Sequence, residues 1–278
     1  MHLVVQGADL APTALAEVAA LAGATQILSL GSSAWRFAGV RQSAQVERWC
    51  AGHAVDLAWV PDARRLADVR LLAMDMDSTL VTIESIDEMG DLLGIRERIA
   101  AVTAQAMRGE IDYPESLRRR VALLAGLEEQ SLERICEERM HLSPGARTLI
   151  QRCRAEGIRT LLVSGGFSFF TAWLQERLGM DATLSNVLEI DRGRLTGRVL
   201  GGIVDGEAKA ERLRSEIAQL GIGREQAVAI GDGANDIPML ASAGVSVAYR
   251  AKPIVRAHAT HALDHAGLDG VLNLFLQV

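Results

Sequence analysis

Apolar and polar positions along this chain follow two different rhythms. Over the first 60 residues, short apolar runs alternate with amphipathic ones. HLVVQG (2–7) and VDLAWV (55–60) predict strands, and APTALAEVAALAG (11–23) predicts a helix closed by a C-terminal glycine. TQILSL and AWRFAGV, joined by GSS, predict a hairpin, and SAQVERWCAG predicts a second helix. The resulting order is βαββαβ, a split βαβ unit of α+β class. PDARRLADVR (61–70) is polar and opens with proline, which predicts a linker.

From residue 69 the texture changes. VRLLAM (69–74), RTLLVS (159–164) and QAVAIG (226–231) are continuous apolar runs that end at glycine, serine or an acid. Helical patterns lie between them, including ARTLIQRCRAEG (146–157) and GEAKAERLRSEIAQLG (206–221). Apolar strands alternating with helices predict a parallel sheet covered on both faces, with the ligand at the carboxyl ends of the strands. Residues 87–142 interrupt the alternation with helical pattern alone. They are too long for a simple crossover and predict a helical cap inserted over the strand ends. NVLEIDRGRLTGRV (186–199) predicts a hairpin turning at DRG. The expected division is a small unit at 1–65 and a larger one at 66–278 that contains the cap.

Composition narrows the function classes. The 278 residues are 49% hydrophobic and 23% charged, as in ordinary globular proteins. A net charge of −6 and 4% aromatic content give no case for a nucleic-acid partner. Cys50, Cys136 and Cys153 are odd in number and unevenly spaced, which suits reduced thiols rather than a disulfide framework. Asp9 and Glu17 make the N-terminus a poor signal peptide, and no long charge-free apolar stretch predicts a membrane span. A cytoplasmic location is expected.

The chemistry concentrates at the ends of the apolar runs. In LLAMDMDSTLVTIESIDEMG (71–90), Asp75 and Asp77 follow a core strand directly, and would point to one side if the strand continued. Two carboxylates so close repel unless a cation neutralises them. GDGANDIPML (231–240) places Asp232, Asn235 and Asp236 on a glycine-hinged loop after another strand. Such carboxylates suit magnesium with a substrate phosphate, whereas the spacing lacks the alternating ligands and final glutamate of a calcium EF-hand. VSGGFS (163–168) offers a serine hydroxyl and successive backbone N–H groups, opening a helix, as a phosphate cradle. Asp75, Asp77 and Asp232 with a phosphoryl group of charge about −2 exceed what one magnesium ion neutralises. A lysine beside the phosphate is therefore expected, and Lys209 is the candidate. In SLRRRVALL, Leu117, Val121 and Leu124 form an apolar stripe that includes Arg120 but not Arg118 or Arg119. His258, His261 and His265 lie at helical spacing without a fourth partner, and are expected to be surface histidines rather than a zinc site.

DMDST, SGG, a downstream lysine and GDGAND, in that order, resemble the four motifs of the haloacid dehalogenase-like phosphatases. The stretches DSTLVTIESIDEMG, SLRRRVALL and VSGGF resemble most the members that hydrolyse O-phosphoserine, the last step of serine biosynthesis. The likeness covers roughly residues 69–270 and implies a Rossmann-like core with a helical cap. It implies Asp75 as the nucleophile that forms an aspartyl-phosphate and Asp77 as the acid and base. Mg2+ would be held by Asp75, Asp77 through its main-chain carbonyl, and Asp232. Ser164, the Gly165 amide and Lys209 would hold the phosphoryl oxygens. Asn235 would bind substrate or orient nearby groups, and Asp236 would orient Lys209 or support the metal. Arg120 would take the substrate carboxylate and Glu84 its ammonium. Met76 stands where many relatives carry phenylalanine, and both are apolar. Residues 1–65 resemble the ferredoxin-like, ACT-type units that bind amino acids, with a packing or homodimerisation module as the alternative. Two other functions are weighed: action on a different small phosphomonoester, or phosphoryl transfer to an alcohol, and a non-catalytic regulatory protein on this scaffold. A change of Glu84 or Arg120 would favour the first, and loss of the nucleophile, lysine or metal acids the second. All of these residues are present.

Overall fold

The computed structural model describes residues 1–277. The N-terminal unit runs β1 (His2–Gln6), α1 (Pro12–Ala22), β2 (Gln26–Gly31), β3 (Ala34–Ala38), α2 (Ala44–Gly52) and β4 (Asp56–Val60). Its sheet is antiparallel in the order β2-β3-β1-β4, as a split βαβ requires. Alternation along β1 sends Leu3 and Val5 to a core under the two helices with Val18, Phe37 and Val46. Val4, Ala58 and Val60 point the other way and join the core of the larger unit. A strand buried on both faces needs apolar residues at successive positions, which is why HLVV and LAWV lack a polar face.

The larger sheet has the order β11-β10-β9-β5-β6-β7-β8. Its strands are β5 (Leu71–Met74), β6 (Arg159–Phe167), β7 (Ala182–Asp191), β8 (Arg194–Leu200), β9 (Ala227–Gly231), β10 (Val245–Tyr249) and β11 (His261–Leu263). All pairings are parallel except β7 with β8. That hairpin turns at Arg192 and Gly193, both left-handed (φ 49° and 74°) as a tight turn there demands. After β5 the chain runs first to β6 on one side and later to β9 on the other. The crevice where an open parallel sheet binds ligands therefore opens at the end of β5.

Helices α3 (Ser85–Leu92), α4 (Arg96–Met107), α5 (Tyr113–Ala122) and α6 (Glu129–Arg134) form the insertion after β5. Its two ends are tied together: Thr82 N–H donates to the His141 carbonyl (3.0 Å) and Ser143 N–H to that of Leu80 (2.9 Å). The remaining helices, α7 (Ala146–Ala155), α8 (Ser168–Leu178), α9 (Gly206–Leu220), α10 (Ile237–Ser242) and α11 (Pro253–Arg256), belong to the sheet unit. The three cysteines are buried and unpaired. Among the described residues no helix is long and apolar enough to cross a membrane.

The stretch expected to be a polar linker is anchored, because Leu66 and Val69 are buried. Beside it, buried charges clasp the two units. The Asp56 carboxylate accepts the backbone N–H groups of Asp264 (2.7 Å), His265 (3.1 Å) and Ala266 (2.7 Å). Arg36 donates to the carbonyls of Asn273 (2.9 Å) and Phe275 (2.7 Å). Here one surface histidine proves otherwise placed. His258 and His265 are exposed, but His261 is partly buried and Arg64 Nη1 lies 3.0 Å from its Nε2. A guanidinium only donates, so Nε2 accepts and the ring is neutral. Burial first, then the Arg64 charge, lowers its pKa to about 4.

Stability follows from that sign. The unfolded histidine takes up a proton near pH 6.5, while the folded one resists protonation down to about pH 4. The contribution is complete above the higher value and is lost as pH falls through the lower one. Unfolding free energy should drop by on the order of 2–3 kcal/mol between pH 7 and pH 4 from this group. Denaturant titrations of wild type and His261→Gln over that range test this, and equal pH slopes for both proteins would refute it.

Candidate active site

The site is built at the ends of β5, β6 and β9 and roofed by the inserted helices. Asp75 follows β5, but Asp77 is not the next outward position of a strand. The chain leaves β5 through a tight irregular turn over Met76–Leu80, with Ser78 at φ 56°. This turn, rather than strand alternation, aims both carboxylates into the crevice. SGG also differs from expectation. β6 continues through it to Phe167 with a register break after Val163, and α8 begins only at Ser168. The cradle is an irregular strand end, not the first turn of a helix.

Asp75, Asp77, Glu84, Arg120, Gly165, Asp232 and Asn235 line one cavity of about 760 Å³. Ser164, Lys209 and Asp236 do not reach its surface but lie directly behind, each fully buried. Lys209, in the first turn of α9, places its ammonium 2.8 Å from Asp75 Oδ2 and 2.7 Å from Asp236 Oδ1. The other Asp236 oxygen accepts the N–H groups of Asp232 (3.1 Å) and Gly233 (3.0 Å). Asp236 thus accepts three hydrogen bonds, and it orients both the lysine and the loop that carries Asp232. Ser164 Oγ accepts the Gly166 N–H (2.8 Å) and keeps its own proton to donate.

Three carboxylates, those of Asp75, Asp232 and Asp236, converge within 4.8 Å. One lysine answers them, so the buried cluster carries excess negative charge. Burial and Asp236 push the Asp75 carboxyl well above its ordinary value, and burial and Asp236 raise Asp232 to about 6. Burial opposes the charge of Lys209, yet Asp236 and Asp75 outweigh it and hold the ammonium protonated. Asp236 lies fully buried behind the cavity surface, so Asp75 and Asp232 are the carboxylates open to a cation there. Hard oxygen donors with uncompensated charge fit a small divalent cation.

Asp77 sits in a separate electrostatic setting. Its Oδ1 accepts the Ser85 N–H (2.9 Å) at the start of α3, and its Oδ2 accepts the Ser85 hydroxyl (3.1 Å). Burial first, then Glu84, raises its pKa to about 7. Glu84 precedes α3 yet makes no capping hydrogen bond; its carboxylate accepts the Ser78 hydroxyl at 2.7 Å. An acid merely favouring a helix start would turn to that helix, and this one turns to the cavity. Arg120 projects from α5 into the same space, while Arg118 and Arg119 are exposed. Among the described residues neither Arg120 nor Glu84 forms an ion pair, so the charge of each faces the cavity uncompensated.

Sequence reasoning assigned no role to Ser85, to Thr79, whose hydroxyl donates to Asp232 Oδ1 (2.8 Å), or to Tyr113, whose hydroxyl donates to the Gly165 carbonyl (3.3 Å). A hydroxyl at a helix start is an ordinary capping signal, and nothing in one sequence points to a partner 153 residues away.

Comparison with known proteins agrees with this geometry. A model of the haloacid dehalogenase-like hydrolases matches residues 72–241, and one of a domain of unknown function matches residues 3–46. Phosphoserine phosphatase of Polaromonas sp. is 51% identical over 228 residues, covering 80% of this chain and 96% of that protein. The crystal structure of a probable phosphoserine phosphatase from Vibrio cholerae superposes with a TM-score of 0.87 at 36% identity, covering 98% of this chain and 85% of the other. Phosphoserine phosphatase structures with substrate bound and as a phospho-aspartyl intermediate analogue each superpose with a TM-score of 0.70 at 36% identity. Each covers 75% of this chain and 99% of its own. The chain belongs to the haloacid dehalogenase-like hydrolase family, in the branch that holds the phosphoserine phosphatases.

Proposed function

We propose that the chain hydrolyses O-phosphoserine to serine and inorganic phosphate through an aspartyl-phosphate on Asp75, as the last step of serine biosynthesis in the cytoplasm. The observation that carries this reading is the unpaired Glu84 and Arg120 on the wall of a cavity whose floor holds Asp75, Asp77 and Gly165. An ammonium, a carboxylate and a phosphoester on one small molecule meet those groups. A bidentate guanidinium–carboxylate contact gives Arg120 geometric selectivity as well as charge.

In the first half-reaction the Asp75 carboxylate attacks phosphorus in line. The P–O bond to the seryl oxygen breaks, and Asp77 gives that oxygen its proton. In the second, Asp77 takes a proton from the water that attacks the aspartyl-phosphate, releasing phosphate and restoring Asp75. A carboxyl whose pKa lies near 7 is suited to both transfers, and Ser85 holds it in place for them. Lys209, the Ser164 hydroxyl and the Gly165 amide would receive the phosphoryl oxygens, with Asn235 at the rim. The carboxylates of Asp75 and Asp232 and the Asp77 carbonyl would hold Mg2+, which supplies positive charge against the phosphoryl oxygens.

Three outcomes follow. Asp75→Asn should lower kcat by about a thousandfold or more, and near-wild-type turnover would exclude covalent catalysis there. Chelation should abolish phosphate release from phosphoserine, and added Mg2+ should restore it; full activity in excess chelator would remove the metal from the proposal. Arg120→Ala should raise KM for phosphoserine roughly 10- to 100-fold, the worth of a charged hydrogen bond. Simple alkyl phosphates should be little affected, and an unchanged preference across a phosphomonoester panel would contradict the pocket assignment.

A further inference from the structure

Tyr113 opens α5, the helix that carries Arg120 seven residues later. Seven residues are close to two helical turns, so both side chains lie on one face, about 10 Å apart along the axis. Both line the cavity. The far end of α5 is held by the hairpin: Gly126 N–H donates to the Leu195 carbonyl (2.8 Å) and Leu195 N–H to that of Leu127 (2.9 Å). Its near end reaches the phosphoryl-binding loop by one side-chain hydrogen bond among the described residues, from the Tyr113 hydroxyl to the Gly165 carbonyl.

That carbonyl is fixed from two sides. Asn186 Nδ2, on β7, donates to it at 2.8 Å, and Asn186 Oδ1 in turn accepts the Val204 N–H (2.8 Å). The same peptide unit continues into the Gly166 N–H, which donates to Ser164 Oγ. The sheet unit and the insertion thus grip one peptide plane between them. The fit leaves no room for a side chain, since a Cβ on Gly165 would collide with the tyrosine hydroxyl. Burial raises the phenol to about 12, so it stays a donor throughout the working range.

We propose that Tyr113 is a positioning residue whose hydroxyl latches the Arg120 helix onto the phosphoryl cradle and sets the separation at which the two ends of the substrate are read. The substrate part of this inference rests on the reading above, whereas the latch itself does not. A substrate that spans both ends needs the latch. A phosphomonoester that lacks a carboxylate engages only the cradle and does not.

Tyr113→Phe keeps the ring and removes the hydroxyl alone, so the cavity wall and the fold should be retained. The expected KM for phosphoserine is three- to tenfold higher, the range of one neutral hydrogen bond, with kcat within about twofold. KM for a simple alkyl phosphate should stay within about twofold of wild type. Amide hydrogen exchange in residues 108–122 of the substrate-free protein should become several-fold faster. A phosphoserine KM that does not move, or one that rises equally for both esters, would overturn the positioning role. Unchanged exchange would overturn the latch. If phosphoserine proves no better a substrate than the alkyl phosphate in wild type, the functional reading fails, and exchange still decides the latch by itself.

Discussion

The architecture of the site depends on one buried cation. Lys209 has no exposed surface and lies between Asp75 and Asp236. An ammonium removed from water is tolerated only with close counter-charges and satisfied hydrogen bonds. Meeting that condition brings three distant segments to one point: the end of β5, the first turn of α9 and the loop after β9. The same condition dictates the roles of the acids. Asp236 is engaged by the lysine and two backbone N–H groups behind the cavity, while Asp75 and Asp232 line it. Excess negative charge then remains at the place where a divalent cation and a phosphoryl group would meet.

Around this fixed point, the groups that line the cavity fall into two layers. The sheet edge supplies groups suited to any phosphomonoester. The insertion supplies the groups suited to an amino acid, with Arg120 on α5 and Glu84 just before α3. The insertion leaves from β5 and returns near the same place, with its two ends hydrogen-bonded together. Ser85 and Tyr113 then bind it back onto the site, Ser85 through Asp77 and Tyr113 through Gly165. The N-terminal unit takes a different position. Asp56 and Arg36 bind it to the segment that follows the last strand, so it braces the sheet on the side remote from the hairpin.

Much of this was legible in the chain. The contrast between LLAM or AVAI and the acids that follow marks strand ends at a ligand-binding edge, because apolar runs covered on both faces stop where the chemistry starts. The helix around Arg120 was readable from the buried stripe of Leu117, Val121 and Leu124. The projection of Asp77 was not, because a left-handed Ser78 and an irregular turn depend on the backbone meeting Ile83 and Ser85, not on local propensity. His261 was misplaced for a related reason: polarity suggests the surface, and only the closed fold partly buries the ring and brings Arg64, 197 residues away, against it.

Residue types and their spacing determined the strand ends, the identity of the acids, the lysine and the inward arginine. Those features are local, set by periodicity of 2 or 3.6 and by charge. Tertiary structure decided which acid is spent on the lysine, which carboxyls are raised by burial, and that Tyr113 and Asn186 share one carbonyl. These are consequences of desolvation and of contacts across the sheet and the insertion, and neither exists until the chain has closed on itself.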